Sequence, residues 1–154
     1  MNKFSRFSVR FLASGFFSGH IPFAPGTMGT LVAIPLYLLL VNVLQGWLYA
    51  GAVVVLTLVA IWISGLAEKI YARKDPPQVV IDEIAGFMLT MTAVPPSAMY
   101  IIMGFILFRL FDILKPQPAG WINDRMRGGS GIVLDDIVAG LYANIVLQFL
   151  YRVL

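Results

Sequence analysis

Ile132-Val133-Leu134-Asp135-Asp136-Ile137-Val138-Ala139-Gly140-Leu141 sets two adjacent carboxylates inside an otherwise apolar run. In hydrocarbon either acid costs about 2.5–3.5 kcal/mol on insertion scales, and more if it stays charged and unpaired. Neighbouring acids also repel unless a cation lies between them or one takes up a proton. The stretch therefore reads as the start of a membrane helix, 132–154, whose acids are there for chemistry. A second pair, Asp82-Glu83, opens another apolar run and is likewise followed by Ala85-Gly86. Between the pairs lies Arg109-Leu110-Phe111-Asp112-Ile113-Leu114-Lys115-Pro116.

Composition supports the membrane class. Of 154 residues, 59% are hydrophobic and 12% charged, about half the charged share of a soluble domain; mean hydropathy is +0.84. One domain, 1–154, is the natural count at this length. With no cysteine, a disulfide, a cysteine-held zinc and a thiol nucleophile are all excluded. A net charge of +3 without a basic stripe interleaved with aromatics points to topology and lipid headgroups rather than nucleic acid.

Residues 3–11 read as an amphipathic helix, with Lys3, Arg6 and Arg10 on one face and Phe4, Phe7 and Phe11 on another, suited to a headgroup surface. A signal peptide is the rival, but the apolar region is short and broken by Ser14-Gly15. Residues 19–30, dense in Gly and Pro, read as a loop that could cradle phosphate at a helix start. No charge occurs from Met28 to Leu66. This stretch reads as a helical hairpin, 29–44 and 47–66, followed by a polar connector to Pro76-Pro77. Residues 82–94 make a helix short for a span, hence tilted or enclosed by neighbours. Pro95-Pro96-Ser97 turns into a helix at 98–114, and 115–131 read as a loop. The expected fold is all-α: a small polytopic bundle of about four to five spans with an N-terminal interfacial helix. Lys3, Arg6 and Arg10, then Lys69, Arg73 and Lys74, then Lys115, Arg125 and Arg127 fall on one side, which the positive-inside rule makes cytoplasmic. The acid pairs fall on that side too.

Hard cations such as Mg²⁺ bind carboxylate oxygens, with water and substrate phosphate completing the shell. Small residues one turn after each pair, Ala85-Gly86 and Ala139-Gly140, let two helices approach and bring the pairs together. Arg109 and Lys115 supply positive charge for a phosphate, and Asp112 can orient one of them or a water. This constellation points to phosphoryl chemistry on a lipid headgroup. Two rivals stand beside it: salt bridges that only hold the bundle, and an ion- or proton-coupled transporter. Acids gathered at one interface rather than the midplane, with no inverted repeat, count against the transporter. The likeness of the two acid-Ala-Gly segments is too short to count as a repeat. His20, the only histidine, reads as incidental, and Glu68 and Asp75 as solvated charges.

Ala24–Leu31, Asp82–Gly86, Phe108–Pro118, Asp124-Arg125 and Gly128–Gly140, in this order, resemble the phosphatidylglycerophosphatase A family, bacterial membrane lipid phosphatases. The resemblance implies Mg²⁺-dependent removal of the terminal phosphate of phosphatidylglycerophosphate in the cytoplasmic (inner) membrane. His20 and Asn123 depart from the family pattern. On this basis Asp82, Glu83, Asp135 and Asp136 are expected to hold Mg²⁺, directly or through water. Arg109, Lys115 and Arg125 are expected to bind phosphate, with Gly26, Thr27 and Thr30 as weaker contacts. Asp112 or Asp124 would orient the attacking water.

Overall fold

The computed structural model describes residues 2–154, and among them every regular element is helical. The helices are α1 (Lys3–Ala13), α2 (Pro25–Val43), α3 (Trp47–Tyr71), α4 (Ile81–Thr90), α5 (Ala98–Leu114), α6 (Ala119–Arg125) and α7 (Gly128–Val153), with one 3₁₀ turn at Ser18–His20.

Asn2 caps α1 by accepting the Ser5 N–H at 2.8 Å. Val9 and Ala13 are buried in a cluster that includes α3 residues, while Phe4 and Phe7 stay exposed. An apolar face left uncovered beside three cations is what an interfacial helix presents. The expected loop at 19–30 is shorter than its composition suggests. Proline at the first helical position lacks an N–H that would be orphaned there anyway, so α2 starts at Pro25. The expected loop at 115–131 likewise contains α6, and α7 begins at Gly128. The glycines there serve packing: a methyl on Gly129 would collide with the α3 backbone at Ile61 and Gly65.

Three helices, α2, α3 and α7, are long and apolar enough to cross a bilayer. With 17 residues, α5 rises about 25 Å, just under the roughly 30 Å hydrocarbon core. Ten-residue α4 rises only about 15 Å, half of that thickness. It is embedded instead, with eight of its residues buried, as its shortness implied. A helix ending inside a bundle leaves carbonyls that water cannot reach. Here the neighbours satisfy them. Tyr49 Oη donates to Met88 O at 2.8 Å, and Tyr37 Oη donates to Val94 O at 3.3 Å. Asn144 Nδ2 donates to both Thr90 O and Thr92 O at 2.8 Å.

Helices α4 and α7 run parallel and meet at Gly86 and Gly140, where a methyl on either glycine would strike the other helix's backbone. Thr90 Oγ1, bonded to Gly86 O at 2.9 Å, also lies 3.4 Å from Gly140 O. Asp82 and Asp136 each stand four residues before these glycines. The two short acid-Ala-Gly segments are thus packed side by side in the same register.

Candidate active site

A cavity of about 300 Å³ opens where the first residues of α2, the 72–80 loop, the start of α4, the end of α5 and the first third of α7 meet. Six carboxylates line it, Asp75, Asp82, Glu83, Asp112, Asp135 and Asp136, against three cations, Arg73, Arg109 and Lys115. All three charged islands of the sequence therefore converge.

The four paired acids divide in two. Asp82, Glu83 and Asp136 each offer an oxygen within 4.8 Å of the others'. Asp82 Oδ1, Glu83 Oε2 and Asp136 Oδ2 are buried without a hydrogen-bond partner, as is Asp135 Oδ1. Orphaned buried carboxylate oxygens are costly, and three carboxylates gathered this closely suit a hard divalent cation, whose ligands are oxygens. Asp135 faces elsewhere. Successive helical residues point about 100° apart, so neighbours in sequence do not share a face. Its carboxylate is paired with the Lys115 ammonium. Of the four acids expected to hold Mg²⁺, the structure thus gathers three, Asp82, Glu83 and Asp136, and sets Asp135 beside them against a lysine.

Lys115 sits just past the end of α5 in a left-handed conformation (φ 43°), which turns its side chain back over α7. Nζ also donates to Asn123 Oδ1 at 3.1 Å. Burial alone would lower its pKa. The hydrogen bond and charge of Asp135, with Asp136 and Asp112 beyond, outweigh burial and hold the ammonium above the ordinary lysine range. Arg109 Nη1 lies 2.6 Å from Asp112 Oδ2 and 3.9 Å from Glu83 Oε1. Its Nε and Nη1 are buried with no hydrogen-bond acceptor in bonding geometry. Unspent donors thus adjoin unspent carboxylate oxygens. Gly26 makes room for them: a methyl there would meet Glu83 Oε1 and come within 3.0 and 3.1 Å of Arg109 Nη1 and Nη2.

Other expected contacts fall away from the cavity. Thr30 is fully buried, and its hydroxyl donates to Gly26 O at 2.9 Å within α2; Thr27, in the same helix, does not line the cavity. Asp124 and Arg125 are exposed on α6 and do not line it either. That short helix presents Asn123 to Lys115 and turns its next two residues to the outside. His20 Nε2 lies 3.3 Å from Tyr71 Oη, and it too is absent from the cavity lining. Three lining or supporting residues were not expected: Asn123, Arg73 and Asp75. The last was read as a solvated charge. A signal for Arg73 and Asp75 was present, since a connector ending in Pro76-Pro77 five residues before Asp82 must lie over the start of α4.

A family model described as Phosphatidylglycerophosphatase A matches residues 11–151. The chain belongs to the phosphatidylglycerophosphatase A family. Membership makes it an enzyme, a membrane-associated phosphatase, and gives no support to the transporter reading. The Phosphatidylglycerophosphatase A of Escherichia coli is 36% identical over 140 residues, 90% of this chain and 81% of the relative. That of Haemophilus influenzae is 34% identical over 140 residues, 90% and 86%. A protein of Bacteroides thetaiotaomicron, provisionally named a phosphatidylinositol-3-phosphatase, is 39% identical over 143 residues, 88% and 89%. No solved structure matches the chain.

Proposed function

We propose that the chain hydrolyses the terminal phosphate monoester of phosphatidylglycerophosphate to phosphatidylglycerol, with Mg²⁺ held by Asp82, Glu83 and Asp136. The carrying observation is charge. Six lining carboxylates outnumber three cations, and a phosphate monoester brings roughly −1.5 to −2 more near neutral pH. With its acids ionised, such a pocket repels its own substrate unless a cation is recruited. When bound, a divalent ion offsets the carboxylates and polarises the phosphoryl oxygens. The chain's own groups complete the site. Arg109, braced by Asp112, turns its unspent donors to the phosphoryl oxygens. Lys115 is held by Asp135 and Asn123 as a second, point-like cation. Water adds to phosphorus, the bond to the glycerol oxygen breaks, and one proton of the water ends on that oxygen, leaving a free alcohol and inorganic phosphate.

The cavity end of the bundle faces the cytoplasm in this reading. Ten of the eleven Lys and Arg residues lie in segments at that end, and Arg152 alone lies near the other. In a bacterium this is the inner membrane. The test is phosphate release from phosphatidylglycerophosphate, phosphatidic acid, lysophosphatidic acid and phosphatidylinositol 3-phosphate in mixed micelles, with and without Mg²⁺. Phosphatidylglycerophosphate should have the highest kcat/KM, and Asp82→Asn and Asp136→Asn should lower release steeply at limiting Mg²⁺. A chelator-treated enzyme that keeps full rate, or a preference for the inositol lipid, refutes the proposal.

A further inference from the structure

The cavity's three cations are not equivalent. Arg109 and Lys115 are each paired with a carboxylate. Arg73 also lines the cavity, yet among the described residues it has no carboxylate within 4.0 Å and no side-chain hydrogen bond. It is exposed, whereas Arg109 and Lys115 are partly buried, so it stands at the mouth and they stand deeper. Its backbone is held in place. Lys74 Nζ donates to Asn123 O at 3.1 Å, Pro76 is fully buried, and Val80 N–H donates to Ala13 O at 2.8 Å. The loop from Arg73 to the start of α4 is thus fastened to α6, to the interior and to α1.

We infer that Arg73 is a second anion subsite that takes the inner phosphodiester of the substrate. The inference rests on the proposed substrate, which carries a terminal monoester and, one glycerol away, a diester. A monoester seated against the deep carboxylate, arginine and lysine cluster leaves the diester at the mouth, where Arg73, among the described lining residues, is the cation without a carboxylate partner. Arg73 is then a specificity residue. It favours a lipid with two phosphates over one with a single phosphate, and it takes no part in bond cleavage.

Two inhibitors separate the subsites in steady-state assays. Phosphatidylglycerol keeps the diester and lacks the monoester, while inorganic phosphate mimics only the monoester. With phosphatidylglycerophosphate as substrate in mixed micelles, Arg73→Ala should raise KM about three- to fivefold, the upper range for an ion pair at an exposed site. Its kcat should stay within twofold. Inhibition by phosphatidylglycerol should weaken by a similar factor and inhibition by phosphate should not move; Arg73→Lys should restore part of the loss. Unchanged phosphatidylglycerol inhibition in Arg73→Ala, or equal weakening of both inhibitors, overturns the subsite and leaves the proposed function standing. A wild-type enzyme that does not turn over phosphatidylglycerophosphate overturns both.

Discussion

Gly86→Ala tests whether helix contact makes the site. A methyl on Gly86 would lie 2.8 Å from Asp136 O and 2.5 Å from Phe108 Cε2, where ordinary contact begins at 3.4 Å. The gap to Asp136 must therefore open by about 0.6 Å, and the Phe108 ring, fully buried, has little room to yield. Overpacking of this kind costs roughly 1–3 kcal/mol. The displaced atom is the backbone oxygen of a proposed ligand, so the shift is delivered straight to the cluster. A misplacement near 1 Å can cost on the order of 10²-fold in rate, and about 0.6 Å should cost roughly 10–100-fold in kcat/KM. Phosphate release by purified protein at saturating Mg²⁺ measures this, with helix content by circular dichroism alongside. Gly51→Ala is the control: nothing lies within 4 Å of its added methyl, and near the start of α3, at its fifth residue, it should be neutral or slightly stabilising. A Gly86→Ala enzyme within twofold of wild type would show that α4 and α7 need not touch for activity.

Asp136→Asn should raise the Mg²⁺ concentration for half-maximal rate far more than Asp135→Asn, since one oxygen of the latter is taken by Lys115 and Asp135 lies outside the three-acid cluster; equal shifts in a metal titration would put all four carboxylates on the metal. Lys115→Met strands a carboxylate that is 3% exposed, and should destabilise the protein by about 3 kcal/mol, the lower end for breaking a buried pair; an unchanged thermal midpoint contradicts the pairing. Asn144→Leu takes the side-chain donor from the buried Thr90 carbonyl at the end of α4 and leaves Thr92 O only the longer bond from Gln148 Nε2 at 3.4 Å; it should cost roughly 1–3 kcal/mol, read as a lower midpoint in the same detergent. Asp124→Asn and Arg125→Ala should keep kcat/KM within twofold, and a large loss from either would bring α6's outer face into the reaction.

Long charge-free runs and turn-forming breaks make α2, α3, α5 and α7 legible, because chain length and burial in hydrocarbon leave few alternatives. Helix starts are harder. Glycine density suggests a loop wherever backbone entropy is the only consideration, but at Gly129 and Gly26 the missing side chain is required by a neighbour: the α3 backbone in one case, Glu83 and Arg109 in the other. Such a neighbour is distant in sequence and leaves no local mark. The fate of α4 is intermediate. Its shortness is plain from Pro95-Pro96, but not the tyrosines and asparagine that receive its open end, since Tyr37, Tyr49 and Asn144 look like ordinary interfacial or core residues until a broken helix is placed among them.

The division of labour among the acids was more legible than the pairs suggest. Asp135 and Asp136 are adjacent, and adjacent helical residues cannot both face α4, so one of them had to answer to a different partner. Only one phase fits the packing. Gly140 must face Gly86, and Asp136, four residues earlier, shares its face; Asp135 then turns towards the end of α5, where Lys115 waits. The same rule applied to Asp82 and Glu83 gives a different outcome, because Asp82 shares the Gly86 face while Glu83 has a longer side chain that reaches back to the cluster from the next position. A short acid turned inwards and a longer one bent round to meet it put three oxygens together from two helices. On this geometry Glu83→Asp removes one methylene from the only ligand that must reach. It should weaken Mg²⁺ dependence more than Asp82→Glu, which adds reach where none is needed, and the opposite order in a metal titration would mean that α4 presents its acids in another phase.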